Sequence, residues 1–170
     1  MDMNKMLKNH LSLNTLIKLW PYELPDIKNI HTSLSYINLN NFKDVTLRIA
    51  LIDTGVEISH PCFSGANIVS KDFLGYSNPA DEIGHGTHCA AILVSQETSG
   101  MTGLVPKALL YSAKIIGQIR KDRSFTEKSI VQALKWAIEE DVQIILITLG
   151  RRTSNPSIIK YIDFAISRGI

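Results

Sequence analysis

Cysteine is scarce in this chain of 170 residues, with Cys62 and Cys89 the only two. So small a number excludes a disulfide framework and leaves either one bridge or two buried thiols, of which the thiols fit a reducing compartment. A large charge of one sign is also missing. Eighteen basic residues face sixteen acidic ones, a formal +2, so neither nucleic acid nor a membrane surface is the expected partner. No apolar run approaches the roughly 18 residues that cross a bilayer. The longest, Ile144-Ile145-Leu146-Ile147 and Ala108-Leu109-Leu110, are strand-length. The opening residues mix charge and amide groups with their apolar positions and lack the continuous core of a secretory signal, which favours a cytoplasmic location. Repeats and low-complexity tracts are absent. What is present is 45% hydrophobic and 20% charged, the balance of one globular domain with a core of its own.

Residues 1–46 read as an N-terminal extension, rich in Asn and Leu and broken by Pro21 and Pro25. Leu13, Leu16, Ile17 and Trp20 have the spacing of one amphipathic helix stopped at Pro21. From residue 47 to residue 170 the pattern changes to apolar strands alternating with amphipathic helices. Leu47 to Ile52 is a strand stopped by Asp53-Thr54-Gly55. Gly84 to Val94 is a glycine-rich loop feeding a helix. Ala108 to Ile116 and Gln143 to Leu149 are buried strands. Thr126 to Glu140 is a helix capped by Thr126 with Ile130, Leu134, Ala137 and Ile138 as its apolar stripe. Pro156 to Ser167 is a last helix, with its proline in the first turn and Gly169 just beyond the end. Continuous apolar strands separated by helices predict an α/β fold, a doubly wound parallel sheet covered on both faces. In such sheets the reactive groups gather at the carboxyl ends of the strands, where Asp53 and Gly150 fall.

Two stretches carry chemistry: Ile52-Asp53-Thr54-Gly55, followed by His60-Pro61, and Gly84-His85-Gly86-Thr87-His88-Cys89-Ala90. A carboxylate at the end of a buried strand needs hydrogen-bond donors, and an imidazole N–H is one. The glycines around His85 let other backbone, or a substrate, come close. An aspartate that fixes the tautomer of a histidine, which then serves as general base, is two-thirds of a hydrolytic triad.

On these motifs, residues 47–170 resemble the subtilisin-like serine proteases. Gly103-Leu104-Val105-Pro106, Lys114-Ile115-Ile116 and Thr148-Leu149-Gly150 are similar to further segments of that family, and Asp precedes His as its order requires. The resemblance implies that Asp53 orients the histidine and that His85 is the general base and then general acid. It implies that Thr148, Leu149 and Gly150 line the cleft that pairs with substrate backbone, Gly150 leaving room for a side chain. The expected partner is a peptide or protein substrate; no cofactor and no metal are implied. Cys89 matches a thiol that one branch carries beneath its histidine, although a small buried hydrophobe is the preferred reading. The run His60 to Ala66, with Trp20, resembles the branch that matures cyanobactin-type precursor peptides, which implies a ribosomal precursor peptide as substrate.

The family's nucleophile motif, a Gly-Thr-Ser-Met-Ala-like run, has no match here, and neither has its oxyanion-hole asparagine. A triad without its nucleophile loses on the order of 10⁶ in turnover, a cost known from subtilisin itself. The expectation is therefore a partial, C-terminally incomplete peptidase domain that is inactive alone, with a catalytically dead peptide-binding pseudoprotease as the alternative. Cys62 stands where many members carry a calcium-binding aspartate, so no calcium is expected there. The Gln118 to Arg123 loop is basic and reads either as a wall favouring acidic substrates or as a solvated surface. A zinc site built from His85, His88 and Asp81 finds no cysteine pair or third histidine at ligand spacing, and a phosphoacceptor receiver lacks the acidic pair it needs after the first strand.

Overall fold

The computed structural model describes residues 46–97, 100, 102–117, 126–150 and 155–170. The helix expected before Pro21 and the basic loop 118–123 lie outside the described residues. Val45–Ile170 form one compact unit.

Its framework is a sheet of four parallel strands in the order β2-β3-β1-β4. These are β1 (Arg48–Asp53), β2 (Asn67–Asp72), β3 (Leu109–Lys114) and β4 (Ile144–Ile147). Among the described residues three α-helices accompany them: α1 (His85–Val94), α2 (Glu127–Glu139) and α3 (Pro156–Ser167). The class is α/β, as the alternation of apolar runs predicts. Strand β2 is the element the sequence reading lacks. Its residues alternate between exposed and half-buried, because an edge strand covers only one face, and the polar half of the pattern hides it among loop residues.

The period of two along β1 divides the core. Ile49 and Leu51 pack to one side with Leu110, Ala90, Ala91 and Val94, so α1 covers that face. Ala50 and Ile52 point to the other side, against Tyr111, Ala113, Ile130, Leu134 and Trp136, so α2 covers the second. Ile158, Tyr161 and Ile162 of α3 extend that second cluster. Each leucine, isoleucine or valine among them taken fully out of water contributes about 1.5–3 kcal/mol. All four apolar positions expected on α2 are buried.

Caps fix where the helices begin. Thr126 Oγ1 accepts the Ser129 N–H at 3.1 Å and Ser129 Oγ accepts the Thr126 N–H at 3.2 Å, a reciprocal box. Asn155 caps α3 by accepting from Ser157 at 2.8 Å. Helix α1 has no side-chain cap of this kind; its N-cap is Gly84, in the left-handed region at φ 96°. The ends of β1, β3 and β2 lie in one row, since Asp53 pairs with Lys114 and Lys114 with Asp72. That row is the rim on which the functional groups stand.

Candidate active site

Asp53 closes the central strand β1 and is 1% exposed. A bare carboxylate at such a depth is costly, and here every lone pair that matters is used. Oδ1 accepts the Thr54 N–H at 2.6 Å. Both oxygens accept from His85 Nδ1, at 2.8 and 2.9 Å. Oδ2 also accepts the hydroxyl of Thr148, just beyond β4. An ionised carboxylate only accepts, so the proton of a neutral His85 sits on Nδ1 and the lone pair is left on Nε2. The His85 side chain is 49% exposed. Buried oxygen on one side and solvent on the other is the arrangement of a base held ready in one tautomer.

His85 reaches this position because the backbone around it comes very close to the turn after β1. A Cβ added at Gly86 would lie 2.1 Å from the Gly55 carbonyl oxygen, so only glycine fits. The expectation that these glycines permit a close backbone approach holds at Gly86; at Gly84 the requirement is the left-handed φ instead.

The remaining candidates divide. Thr148 has its hydroxyl on Asp53, a contact that its resemblance to a cleft-lining residue does not foretell. Leu149 is half-buried against the core cluster of α2. Gly150 is exposed, and a Cβ there would meet no atom within 4 Å. Thr148, Leu149 and Gly150 thus follow strand β4 directly, and of the three it is Thr148 that the structure bonds to Asp53.

Both cysteines are free thiols. Cys62 is buried, with Sγ 3.0 Å from His60 Nδ1, and burial pushes its thiol up to about 11. Cys89 departs from the expected buried hydrophobe. It is only half-buried, and its Sγ lies 4.0 Å from His85 Nδ1, one helical turn along α1. Burial, and then the charge of Asp53, push this thiol up to about 11 as well. Asp53, His85 and Cys89 offer ligand atoms within 4.8 Å of one another; among the described residues the grouping of His85, His88 and Asp81 does not form. A cation at the first trio has to displace the Nδ1 proton that joins His85 to Asp53, so metal and poised histidine exclude each other. A cavity of about 630 Å³ opens on the same rim between the end of β2 and α2, and neither Asp53 nor His85 lines it.

A parallel sheet with an aspartate at the tip of an inner strand, and a histidine at the start of helix α1 bonded to it, defines an α/β scaffold that presents an Asp–His pair at its rim. The chain belongs to the Subtilase family, whose profile matches residues 45–168. Subtilisin DY of Bacillus licheniformis is 29% identical over 154 residues, which cover 88% of this chain and 52% of that protein. Thermitase of Thermoactinomyces vulgaris is 29% identical over 125 residues, 72% of this chain and 44% of the relative. The chain spans about half the length of these relatives. Among solved structures, the prenylagaramide maturation protease PagA aligns with TM-score 0.60 at 20% identity, over 85% of this chain and 48% of its own. The self-cleaved protease domain of PatA aligns with TM-score 0.60 at 24% identity, over 72% and 46%. At these identities the likeness is one of fold.

Proposed function

We propose that this chain supplies the aspartate and histidine of a serine-type endopeptidase whose nucleophile and oxyanion donor lie outside it. The observation that carries the reading is the double contact of His85 Nδ1 with a buried carboxylate, at 2.8 and 2.9 Å, on a ring that keeps its other edge in solvent.

In this reading the serine oxygen attacks the scissile carbonyl carbon while its proton passes to Nε2 of His85. Asp53 stabilises the imidazolium that results. The tetrahedral intermediate collapses, the C–N bond breaks, and the Nε2 proton goes to the leaving amine, which leaves an acyl-serine. Water then attacks with His85 again as base, or a peptide amine does so and the outcome is transpeptidation. Thr148, Leu149 and Gly150 carry the substrate backbone beside Asp53. The substrate we assign is a ribosomal precursor peptide, supported by the His60 to Ala66 run and by the fold likeness to the prenylagaramide maturation protease.

A fluorophosphonate probe tests the reading on the chain alone and on a longer product in which the chain is joined to a subtilase segment that bears a Gly-Thr-Ser-Met-Ala-like run. The chain alone is expected to stay unlabelled, and the longer product to be labelled at a serine. His85→Ala should then lower turnover on the order of 10⁶-fold and Asp53→Asn on the order of 10⁴-fold. Labelling of the chain alone that His85→Ala abolishes, or a longer product that binds peptide without cleaving it, overturns the proposal.

A further inference from the structure

Asp81 is named by no part of the mechanism above, yet its carboxylate gathers five hydrogen bonds. Oδ1 accepts the Thr54 hydroxyl, the Ile83 N–H and the Gly84 N–H, each at 2.9 Å. Oδ2 accepts the Thr87 N–H at 2.9 Å and the Thr87 hydroxyl at 2.7 Å. The donors are not a random set. Gly84 and Thr87 flank the His85-Gly86 pair, and Thr54 is the residue after Asp53. Thr54 Oγ1 in turn accepts the Gly86 N–H at 2.8 Å. The residues on both sides of His85, Gly84 directly and Gly86 through Thr54, are therefore tied by their N–H groups to the same carboxylate.

A second anchor holds the segment that carries Asp81. Lys114, 1% exposed at the end of β3, donates to the Ala80 carbonyl at 2.7 Å and to Glu82 at 3.2 Å. A buried ammonium is retained only where such partners meet it. Burial works to raise the Asp81 carboxyl, but bonds from Thr87, Gly84 and Ile83 outweigh it and hold the group below its ordinary value.

We infer that Asp81 is a positioning residue: resting on the reading of Asp53 and His85 as a working pair, it sets the distance and orientation of the histidine by locking the α1 entry to the turn after β1. An asparagine cannot replace it. With its oxygen toward Thr54 and Gly84, its amide N–H₂ faces the Thr87 N–H; flipped, the N–H₂ faces the Ile83 and Gly84 donors. Either way at least one backbone donor beside His85 loses its acceptor.

The experiment needs no nucleophile. In the full chain labelled with ¹⁵N-histidine, NMR reads the low-field Nδ1 proton of His85 and the tautomer-sensitive shifts of its two ring nitrogens. Asp81→Asn is expected to abolish the low-field proton and to average the two nitrogen shifts, while the exposed Asp163→Asn leaves both unchanged. Thr54→Val, which keeps the shape and removes only the bridging hydroxyl, is expected to do the same and covers the case in which Asp81→Asn fails to fold. A parent chain with the low-field proton and folded variants that keep it overturns the role of Asp81 alone. A parent chain without it overturns the Asp53–His85 pair, and this inference with it.

Discussion

At the scale of single residues, the site depends on protons being kept where they belong. Asp53 is saturated by Thr54, His85 and Thr148, so the only mobile proton at the pair is the one His85 carries. The neighbouring thiol is kept out of that exchange. With Cys62 and Cys89 both pushed from 9.0 to about 11, each holds about a hundredfold less thiolate at pH 8 than an ordinary cysteine. Alkylation by iodoacetamide, followed by mass spectrometry, should therefore be slow for both at pH 8 and keep accelerating as pH rises toward about 11. A rate for either that levels off by pH 9 contradicts this. The pairing of Asp53 with His85 is legible in the sequence because a carboxylate after an apolar strand and an imidazole between glycines are chemically marked. The hydroxyl of Thr148 and the carboxylate of Asp81 are not, since their partners are backbone amides and distant side chains that only the folded chain brings near.

At the scale of elements, the contact between the β1 turn and the start of α1 leaves less room at its glycine than any other glycine among the described residues has. Gly86→Ala puts a methyl group 2.1 Å from the Gly55 carbonyl oxygen, and backbone on both sides leaves no flexible atom to yield. The variant should lose about 3 kcal/mol of stability in urea unfolding, and the low-field proton of His85 should vanish with it. An unchanged midpoint shows that the joint is softer than its geometry. Strands β1, β3 and β4 were legible as apolar runs with termini displaced by a residue or two, because fraying ends respond to neighbours rather than to local pattern. Strand β2 was not, because its single covered face gives it the composition of a loop.

At the scale of the whole molecule, the two sides of the sheet end differently. Strand β2 turns Val69 outward, and β4 leaves Ile144 44% exposed at the opposite edge. Helix α3 adds Ile159, Phe164 and Ile166, the last 64% exposed. Among the described residues β4 has no strand beyond it, and such an edge beside exposed apolar side chains is a surface that associates. The full chain should accordingly sediment as larger species at tens of micromolar, and Ile166→Lys with Phe164→Lys should shift it toward monomer. A parent chain that stays monomeric at that concentration shows that this surface does not drive association.

Thr148 donates to Asp53 across 95 residues of sequence, and the strands that bring them together pair in parallel, with no hairpin to shorten the path. Contacts of such separation form late and slowly. As the polypeptide emerges from the ribosome, aspartate and histidine are both out long before the threonine that completes their setting. A nascent chain therefore passes through most of its synthesis with Asp53 lacking the threonine hydroxyl that completes its set of donors, and the order of residues along the gene sets when that carboxylate is fully satisfied.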